Sequence, residues 1–229
     1  MTQWQSLLDV IFPIKCIRCG RSGEYLCEEC MARVNFLPQQ RCAVCNGNAM
    51  NGETHMRCRK AYVIDGVWAM ASNQGVMKKL IHRYKYGYAE DLGRLLASML
   101  IRCLPGGLRK FDLLVPVPLF SLRQRWRGFN QAENLTELIN KRIRVSHKKN
   151  ILVRVKAGRP QASIRERKER LTNLKDVFKL SAGIDRKWIK GKSILLVDDV
   201  ATTGTTLRRA AIPLKRAGAG VVWGVVLAR

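Results

Sequence analysis

Apolar residues recur along the chain with two different spacings, and the alternation of these spacings predicts a mixed α/β fold. Runs of consecutive aliphatic residues are typical of strands buried on both faces of a parallel sheet. Such runs predict strands at residues 62–64, 67–70, 113–118 (ended by prolines), 151–153, 194–197 and 221–227. Spacings of three and four residues predict helices around Met77, Leu80, Ile81 and Tyr84, over 92–104, around Ala132, Leu135, Leu138 and Ile139, and around Leu207, Ala210, Ala211 and Leu214.

Residues 194–207 join a predicted strand to a predicted helix through a short polar loop. Asp198 and Asp199 follow the strand, and residues 201–206 read Ala-Thr-Thr-Gly-Thr-Thr. In open α/β sheets ligands bind outside the carboxyl ends of strands. Gly204 lets the backbone approach a ligand closely, and the N–H groups of a helix start hold a phosphate. The carboxylates repel phosphate and suit ribose hydroxyls or Mg²⁺, so the loop predicts a sugar-phosphate site.

This stretch resembles the PRPP (5-phosphoribosyl-1-diphosphate) motif of type I phosphoribosyltransferases, a hydrophobic strand followed by Asp-Asp and Thr-Thr-Gly. The resemblance implies that PRPP binds with Mg²⁺ at Asp198, Asp199, Ala201, Thr202, Thr203, Gly204, Thr205 and Thr206. The alternative is a strand–turn–helix in which Asp and Thr only cap the helix. The agreement of separate signals over a dozen residues favours the ligand site. A nucleotide triphosphatase loop is excluded, because no Gly-Lys-Ser or Gly-Lys-Thr follows the glycine.

Seven of the eight cysteines lie before residue 60, mostly in pairs separated by two residues. No secretory signal opens the chain, so this clustering indicates metal binding and not disulfides. The segment has too little apolar material for a core of its own. Bound zinc therefore supplies its folding free energy, on the order of 10 kcal/mol per site. The candidate ligands are Cys16, Cys19, Cys27, Cys30, Cys42, Cys45, His55 and Cys58.

The grouping of these ligands stays open at the level of sequence. Chain order places the first four on one ion and the last four on another, and a cross-braced grouping uses the same residues. His55 is either a ligand or an ordinary loop histidine, and its place in the fourth pair favours a ligand. Four protein ligands leave no open position on zinc, which favours a structural over a catalytic ion. Cys103 stands alone in an apolar stretch and is predicted to be a core residue.

The chain carries a formal net charge of +25, with a pI near 10.4. Such an excess favours a polyanionic partner, nucleic acid or an anionic membrane surface, over a surface that is charged only for solubility. No apolar run reaches the length of a transmembrane helix, so any membrane contact is expected to be peripheral. The amphipathic residues 4–12 are predicted to pack on the body of the protein.

Three further stretches carry candidate anion contacts. Lys85, near a helix end, either reaches a pyrophosphate or solvates that end. The arginines that precede the helix at Ala132 predict an anion site on a loop, where Trp126 stacks on bases or packs internally. The cation-rich region 156–170 predicts a flap over an anionic site. The candidate DNA contacts are Arg123, Arg125, Trp126, Arg127, Lys156, Arg159 and Arg165.

Over nearly its full length the chain resembles the ComF/GntX family of competence-associated proteins. The marks are the cysteine pairs, residues 80–82 with Lys85 and Tyr86, the Val-Pro-Val-Pro at 115–118, residues 127–132, Gln161, Arg170, Asn173 and Phe178, and the loop 198–206. The resemblance implies a type I phosphoribosyltransferase fold, a parallel α/β sheet, over residues 61–229, preceded by a small zinc-ribbon domain over residues 1–60. It also implies a cytoplasmic protein that handles incoming single-stranded DNA during natural transformation, with other competence proteins as partners. The fourth ligand pair is His-Cys where this family usually has Cys-Cys.

Two functional classes follow from these features. The first is a DNA-handling protein that uses, or has repurposed, a PRPP site in which Lys85 and Arg127 contact pyrophosphate. The second is a metabolic phosphoribosyltransferase that acts on an unidentified base. The basic excess and the zinc ribbon favour the first class, and the complete Asp-Asp-Thr-Thr-Gly loop supports the second. A transcription factor of the purine-repressor kind has the same fold, but no helix-turn-helix pattern supports it.

Overall fold

The structure, a computed structural model, describes residues 14–86, 90–106, 110–119, 129–155 and 177–229. The predicted helices and most of the predicted strands are present in these ranges. In chain order the elements are α1 (Glu28–Met31), β1 (Gln40–Arg41), β2 (Asn48–Ala49), β3 (Gly66–Ala71), α2 (Gly75–Tyr86), α3 (Glu90–Cys103), β4 (Leu113–Pro116), α4 (Gln131–Ile143), β5 (Leu152–Arg154), β6 (Phe178–Leu180), β7 (Ser193–Val200), α5 (Thr205–Arg216) and β8 (Val221–Ala228).

A parallel sheet of four strands, in the order β3-β8-β7-β4, forms the centre of the described structure. Strand β7 lies between β4 and β8, and Leu196 pairs with Val115 on one side and Gly224 on the other. Because the strands are parallel, their carboxyl ends lie along one edge of the sheet. Asp198 and Asp199 therefore lie at this edge, as the sequence predicts.

Helices cover both faces of the sheet. Alternate residues of β7 point to opposite faces: Leu195 packs in a core with α2, α3 and α4, and Leu196 packs in a second core with α5. Gly224 allows α5 to lie close to the sheet, since a Cβ there would lie 2.8 Å from Leu207 Cδ1. The predicted α/β class with a parallel sheet is therefore confirmed.

Strands β5 and β6 form a separate antiparallel pair beside the sheet, with Arg154 opposite Phe178. Phe178 is buried in the core beneath α5. The cation-rich region between these two strands, predicted as a flap, lies outside the described residues over 156–176. The predicted strand at 62–64 is wrong. This segment forms a turn, and Tyr62 adopts a φ of 66° that a strand does not allow.

The cysteine-rich segment packs along the free edge of β3. Phe36 and Glu53 form antiparallel bridges to the two ends of β3, which covers the unpaired N–H and C=O groups of an edge strand. The buried Gln40 side chain adds a third connection. Its Nε2 donates to Ala69 O at 3.0 Å and to Leu37 O at 2.7 Å, and its Oε1 accepts from Ala69 N at 2.8 Å. The Gln40 side-chain amide thus forms with the Ala69 main chain the pair of hydrogen bonds that a neighbouring strand would form.

No helix in the described ranges combines the length and apolar character needed to cross a membrane.

We expect Gln40→Ala to lower the free energy of unfolding by roughly 2–4 kcal/mol, because it leaves buried main-chain groups of β3 without partners. Chemical denaturation measures the change. The exposed neighbour Gln39 provides a matched control. Gln39→Ala should change the free energy of unfolding by less than about 0.5 kcal/mol. Equal effects of the two substitutions would show that the Gln40 amide does not connect the cysteine-rich segment to the sheet.

Candidate functional site

The loop between β7 and α5 is held from two sides at the carboxyl edge of the sheet. Ala201 N donates to Ala228 O at 3.0 Å, which ties the loop to β8. Gly204 precedes α5 with a φ of 70°, and a Cβ there would lie 3.4 Å from Ala43 O in the cysteine-rich segment. The left-handed conformation favours glycine at this position, whereas the Ala43 carbonyl leaves room for a Cβ at ordinary van der Waals distance.

Hydroxyl groups and a cation surround the start of α5. Thr203 Oγ1 and Thr205 Oγ1 lie 2.8 Å apart, and Arg208 Nη2 donates to Thr205 Oγ1 at 3.3 Å. Within the described residues, Arg208 Nε is buried without a hydrogen-bond partner. The first N–H groups of a twelve-residue helix also lack partners within the helix. These donors and the guanidinium together fit a phosphate group.

The two aspartates differ in their surroundings. Asp199 Oδ2 lies 2.9 Å from Lys85 Nζ, and both side chains are largely buried. Asp198 Oδ1 accepts from Asp199 N at 2.9 Å. Desolvation and the charge of Asp199 raise the pKa of Asp198 to about 8, against opposing effects of the Asp199 N–H, Lys85 and Arg154. At neutral pH the site therefore combines a protonated carboxyl with a carboxylate that is paired to a lysine.

A buried hydrogen-bond network fixes the end of α2 that carries Lys85. The Tyr84 hydroxyl donates towards Asn134 Oδ1 at 2.8 Å and Gln131 O at 3.0 Å. Gln131 Nε2 donates in turn to Lys85 O at 3.3 Å. Burial raises the pKa of Tyr84 well above its usual range, so this hydroxyl stays protonated and acts as a donor. The network connects α2 to the start of α4.

The cysteine-rich segment brings its candidate ligands together in two groups. The ligand atoms within each group lie within 4.8 Å of one another. One group is Cys16, Cys19, Cys27 and Cys30, and the other is Cys42, Cys45, His55 and Cys58. This grouping follows chain order and is not the cross-braced alternative.

Both groups fit a tetrahedral zinc ion. Bonds of about 2.3 Å place the ligand sulfurs of zinc about 3.8 Å apart, and Cys19 Sγ lies 3.6 Å from Cys27 Sγ. In the second group Cys45 Sγ lies 3.3 Å from His55 Nδ1. His55 Nε2 lies 2.8 Å from Asn48 O, a contact that places the ring proton on Nε2 and leaves Nδ1 to bind a metal. The N–H of Gly47 lowers the pKa of the Cys45 thiol, which favours the metal-binding thiolate.

Family comparisons agree with both parts of this geometry. The family model described as Phosphoribosyl transferase domain matches residues 90–229. The chain belongs to the phosphoribosyl transferase domain family. A second model, described as Double zinc ribbon domain, matches residues 7–60. The predicted fold, a phosphoribosyltransferase-type α/β sheet with a small zinc ribbon before it, is confirmed, and the ribbon match supports structural zinc.

Relatives of this chain carry names related to competence and DNA use. It is 28% identical to Competence protein F of Haemophilus influenzae over 95% of this chain and 98% of that protein. It is 27% identical to the DNA utilization protein YhgH of Escherichia coli K12 over 90% of this chain and 85% of that protein. The resemblance to the ComF/GntX family is thereby confirmed.

One solved structure to which the chain is similar is the glutamine PRPP amidotransferase of B. subtilis, described in complex with ADP and GMP. It is 20% identical, with a TM-score of 0.42, and the match covers 64% of this chain and 30% of that chain.

The structure brings together most of the residues predicted to bind PRPP. Lys85, Asp198 and Asp199 form one cluster, and residues 201–206 form the adjoining loop at the start of α5. Arg127 lies outside the described residues. All the predicted DNA contacts also lie outside them, namely Arg123, Arg125, Trp126, Arg127, Lys156, Arg159 and Arg165.

Two arginines near the site were not singled out by sequence reasoning. Arg154, on β5, is close enough for its charge to oppose the raised pKa of Asp198. Arg208, on α5, contacts the loop hydroxyls. Arg154 has a weak signal in the sequence, as the single charge in the apolar run 151–155. Arg208 has no such signal, because it follows Leu207 in a predicted helix and arginine is common on the solvated face of a helix.

We expect Asp198→Asn to stabilise the unliganded protein near pH 8 and to have a clearly smaller effect near pH 5. The Asp198 pKa is raised in the folded state, so the folded chain binds more protons and the carboxyl costs stability progressively as pH rises from about 4 to 8. Thermal melts should show an increase in melting temperature of roughly 3–8 °C near pH 8 and a clearly smaller increase near pH 5.

Asp185→Asn serves as a control in which the pH dependence of stability has the opposite sign. The Lys187 side chain lowers the pKa of Asp185, so this carboxylate stabilises the fold above its unfolded pKa and the contribution is lost as pH falls. The effect should be small because Asp185 is exposed. An equal change in melting temperature near both pH values for Asp198→Asn would contradict the raised pKa.

We also expect two zinc ions per chain by elemental analysis, and about one in His55→Ala. His55→Cys should keep two, because a thiolate is an equally good zinc ligand. The exposed His82→Ala serves as the matched control and should leave the zinc content unchanged. An unchanged zinc content in His55→Ala would remove His55 from the ligand set.

Proposed function

We propose that this protein takes part in natural competence, handles single-stranded DNA, and binds PRPP or a related sugar phosphate with Mg²⁺. The observation that carries the sugar-phosphate part is the cluster of Asp198, Asp199 and Lys85 beside the Gly204 loop. Carboxylates alone would favour a cation, and helix N–H groups alone would favour an anion. Their combination suits a ligand that presents hydroxyls, phosphates and a bridging divalent ion.

Each described side chain has a role in holding such a ligand. Asp198 and Asp199 accept from the ribose hydroxyls or bind Mg²⁺, which supplies positive charge to the diphosphate when it is bound. Lys85 then contacts the diphosphate while it keeps its pair with Asp199, because a lysine that lies between two anions satisfies both. The start of α5 and Arg208 hold the terminal phosphate. Asp198 loses its proton when it binds a cation, so ligand binding is coupled to proton release.

The DNA part of the proposal is supported by charge and by the relatives. The net charge of +25 suits a polyanion, and the named relatives are a competence protein and a DNA utilization protein. The contacts we propose are the arginines at 123–127 with Trp126 and the cations of 156–165. We further propose a cytoplasmic location, contacts with other competence proteins, and peripheral attraction to anionic membranes.

A cavity next to the loop favours a second candidate function, phosphoribosyl transfer to a base. This cavity of about 280 Å³ lies between the zinc ribbon and the loop, and Thr202, Asn46, Arg41 and Arg229 are among its lining residues. Arg229 donates to Arg41 O at 3.0 Å and to Asn46 Oδ1 at 2.9 Å. A planar acceptor could lie there beside the ribose. Release of pyrophosphate in the presence of candidate bases distinguishes this enzyme from a protein that only binds PRPP.

We expect PRPP with Mg²⁺ to bind the parent protein, and the double variant Asp198→Asn with Asp199→Asn to bind it at least about tenfold more weakly by calorimetry. The same variant should bind single-stranded DNA as well as the parent. On single strands, log affinity should fall against log salt with a slope of about −0.7 per phosphate contact. Asp91→Asn with Asp185→Asn removes the same charge from exposed positions and is the matched control.

Equal PRPP binding by the parent and the double variant would contradict the assignment of the loop. DNA affinity that is independent of salt would contradict the charge-based part. If Arg123→Gln with Arg125→Gln and Arg127→Gln loses PRPP binding and keeps DNA binding, those arginines contact pyrophosphate. The metabolic candidate then becomes the better one.

A further inference from the structure

An aromatic side chain lies exposed in a basic segment at the amino edge of the sheet, opposite the sugar-phosphate loop. Trp188 is 42% exposed in the short 3₁₀ turn Arg186–Trp188 that leads into β7. Its base is rigid, because Ile189 is fully buried and Asp185 Oδ1 accepts from Lys187 N at 2.9 Å. The ring is therefore presented to solvent by a fixed backbone.

Cations surround this ring. Lys148 Nζ lies 4.1 Å from the centroid of the Trp188 ring. Residues 185–192 contain four basic residues and one acidic residue. That acid, Asp185, already pairs with Lys187 Nζ at 2.8 Å, which leaves a net positive segment around the tryptophan.

A second aromatic–cation pair lies on the same edge at the entry to β3. Tyr62 is 49% exposed, and Arg216 Cζ lies 5.7 Å from its ring centroid. The entry to β7 contacts the end of α5, since Gly191 N donates to Gly218 O at 2.8 Å. Neighbouring strands lie about 4.8 Å apart, so the entries to β3 and β7, with β8 between them, are about 10 Å apart.

We call this surface the basic aromatic edge. Its members are Tyr62, Lys148, Arg186, Trp188, Lys190, Lys192 and Arg216. The described acids beside it are engaged: Asp65 accepts from Val222 N at 2.6 Å and pairs with Lys215. Asp112 accepts from Ser193 N at 2.8 Å. The edge therefore carries more positive charge than its acids neutralise.

We propose that the basic aromatic edge binds single-stranded nucleic acid, with a base stacked on Trp188 and phosphates on the surrounding cations. This proposal rests on the DNA handling proposed above and places it at residues outside the earlier candidates. Stacking on an aromatic ring within a cationic groove is how proteins bind single strands with little sequence preference. A membrane fits less well, since Ile189 beside the ring is buried and no aliphatic residue of 186–192 is exposed to enter an acyl layer.

The position of this edge separates it from the sugar-phosphate site. Six residue steps of β7 lead from Ser193 to Asp199, which amounts to about 20 Å along the strand. Each site therefore accepts its ligand independently, and PRPP is not displaced by DNA bound at Trp188.

Fluorescence anisotropy of a labelled oligo-dT tests the proposal on the full chain. Trp188→Ala should weaken binding about 5- to 100-fold without changing the salt slope, because stacking releases no counterions. Trp188→Phe keeps a stacking face and should stay within about threefold of the parent. Arg186→Gln with Lys190→Gln and Lys192→Gln should reduce the magnitude of the slope by about 2.

The matched control removes three exposed cations from α2 and α3, as Lys78→Gln with Lys79→Gln and Arg102→Gln, and should leave the salt slope unchanged. Zinc content and melting temperature verify the fold of each variant. PRPP affinity should be the same in the parent and in Trp188→Ala.

Parent-like DNA binding by both edge variants would overturn this proposal while the DNA function itself stands, with 123–127 as its site. A parent that binds no oligo-dT would overturn the DNA function together with the edge. If the edge variants lose binding to vesicles of phosphatidylglycerol and phosphatidylcholine but bind DNA like the parent, the edge is a membrane surface instead. Weaker PRPP binding by Trp188→Ala would also overturn it, because the edge and the sugar-phosphate site would then overlap.

Discussion

Burial of β7 is the constraint on which the rest of the molecule depends. Residues 194–197 are fully buried between two neighbouring strands and two helical layers, so the backbone that leads to the site has no freedom to move. The same burial places Asp198 where its charged form is poorly solvated, which raises its pKa. Burial thus both fixes the strand and destabilises the ionised form of Asp198. A ligand that brings positive charge stabilises that ionised form and so offsets the free-energy cost of its burial.

The zinc ribbon packs against both cores and against the loop that precedes α5, so it supports the site directly. Cys16, Cys27 and Cys30 lie in the core with α2, and Ala43 lies in the core with α5, against Gly204. Metal binding supplies the folding free energy of a segment with little core of its own. That free energy therefore also stabilises the edge of β3 through Gln40 and holds the loop that precedes α5.

Local patterns in the sequence predicted most of the elements, the candidate zinc ligands that lie together in two groups, and the position of the Gly204 loop at the carboxyl edge of the sheet, because each depends on residues close together in the chain. The contacts that complete the site join distant residues and leave no local pattern: Lys85 with Asp199, or Gln40 with Ala69. The incorrect prediction of a strand at 62–64 shows that β-propensity alone does not determine where the chain turns. Its apolar run resembles a strand, yet the chain must turn there to enter β3, and Tyr62 takes a positive φ.

The distribution of charge is what allows the two anionic ligands that we propose to bind at separate places. At the carboxyl edge Asp199 offsets the charge of Lys85, so a bare phosphate chain gains little there, whereas a sugar phosphate with its cation matches both signs. At the amino edge the carboxylates are engaged by Lys187, Lys215 and main-chain N–H groups. The remaining cations there attract any polyanion without discrimination, and an exposed aromatic ring adds the preference for unstacked bases that charge alone does not provide.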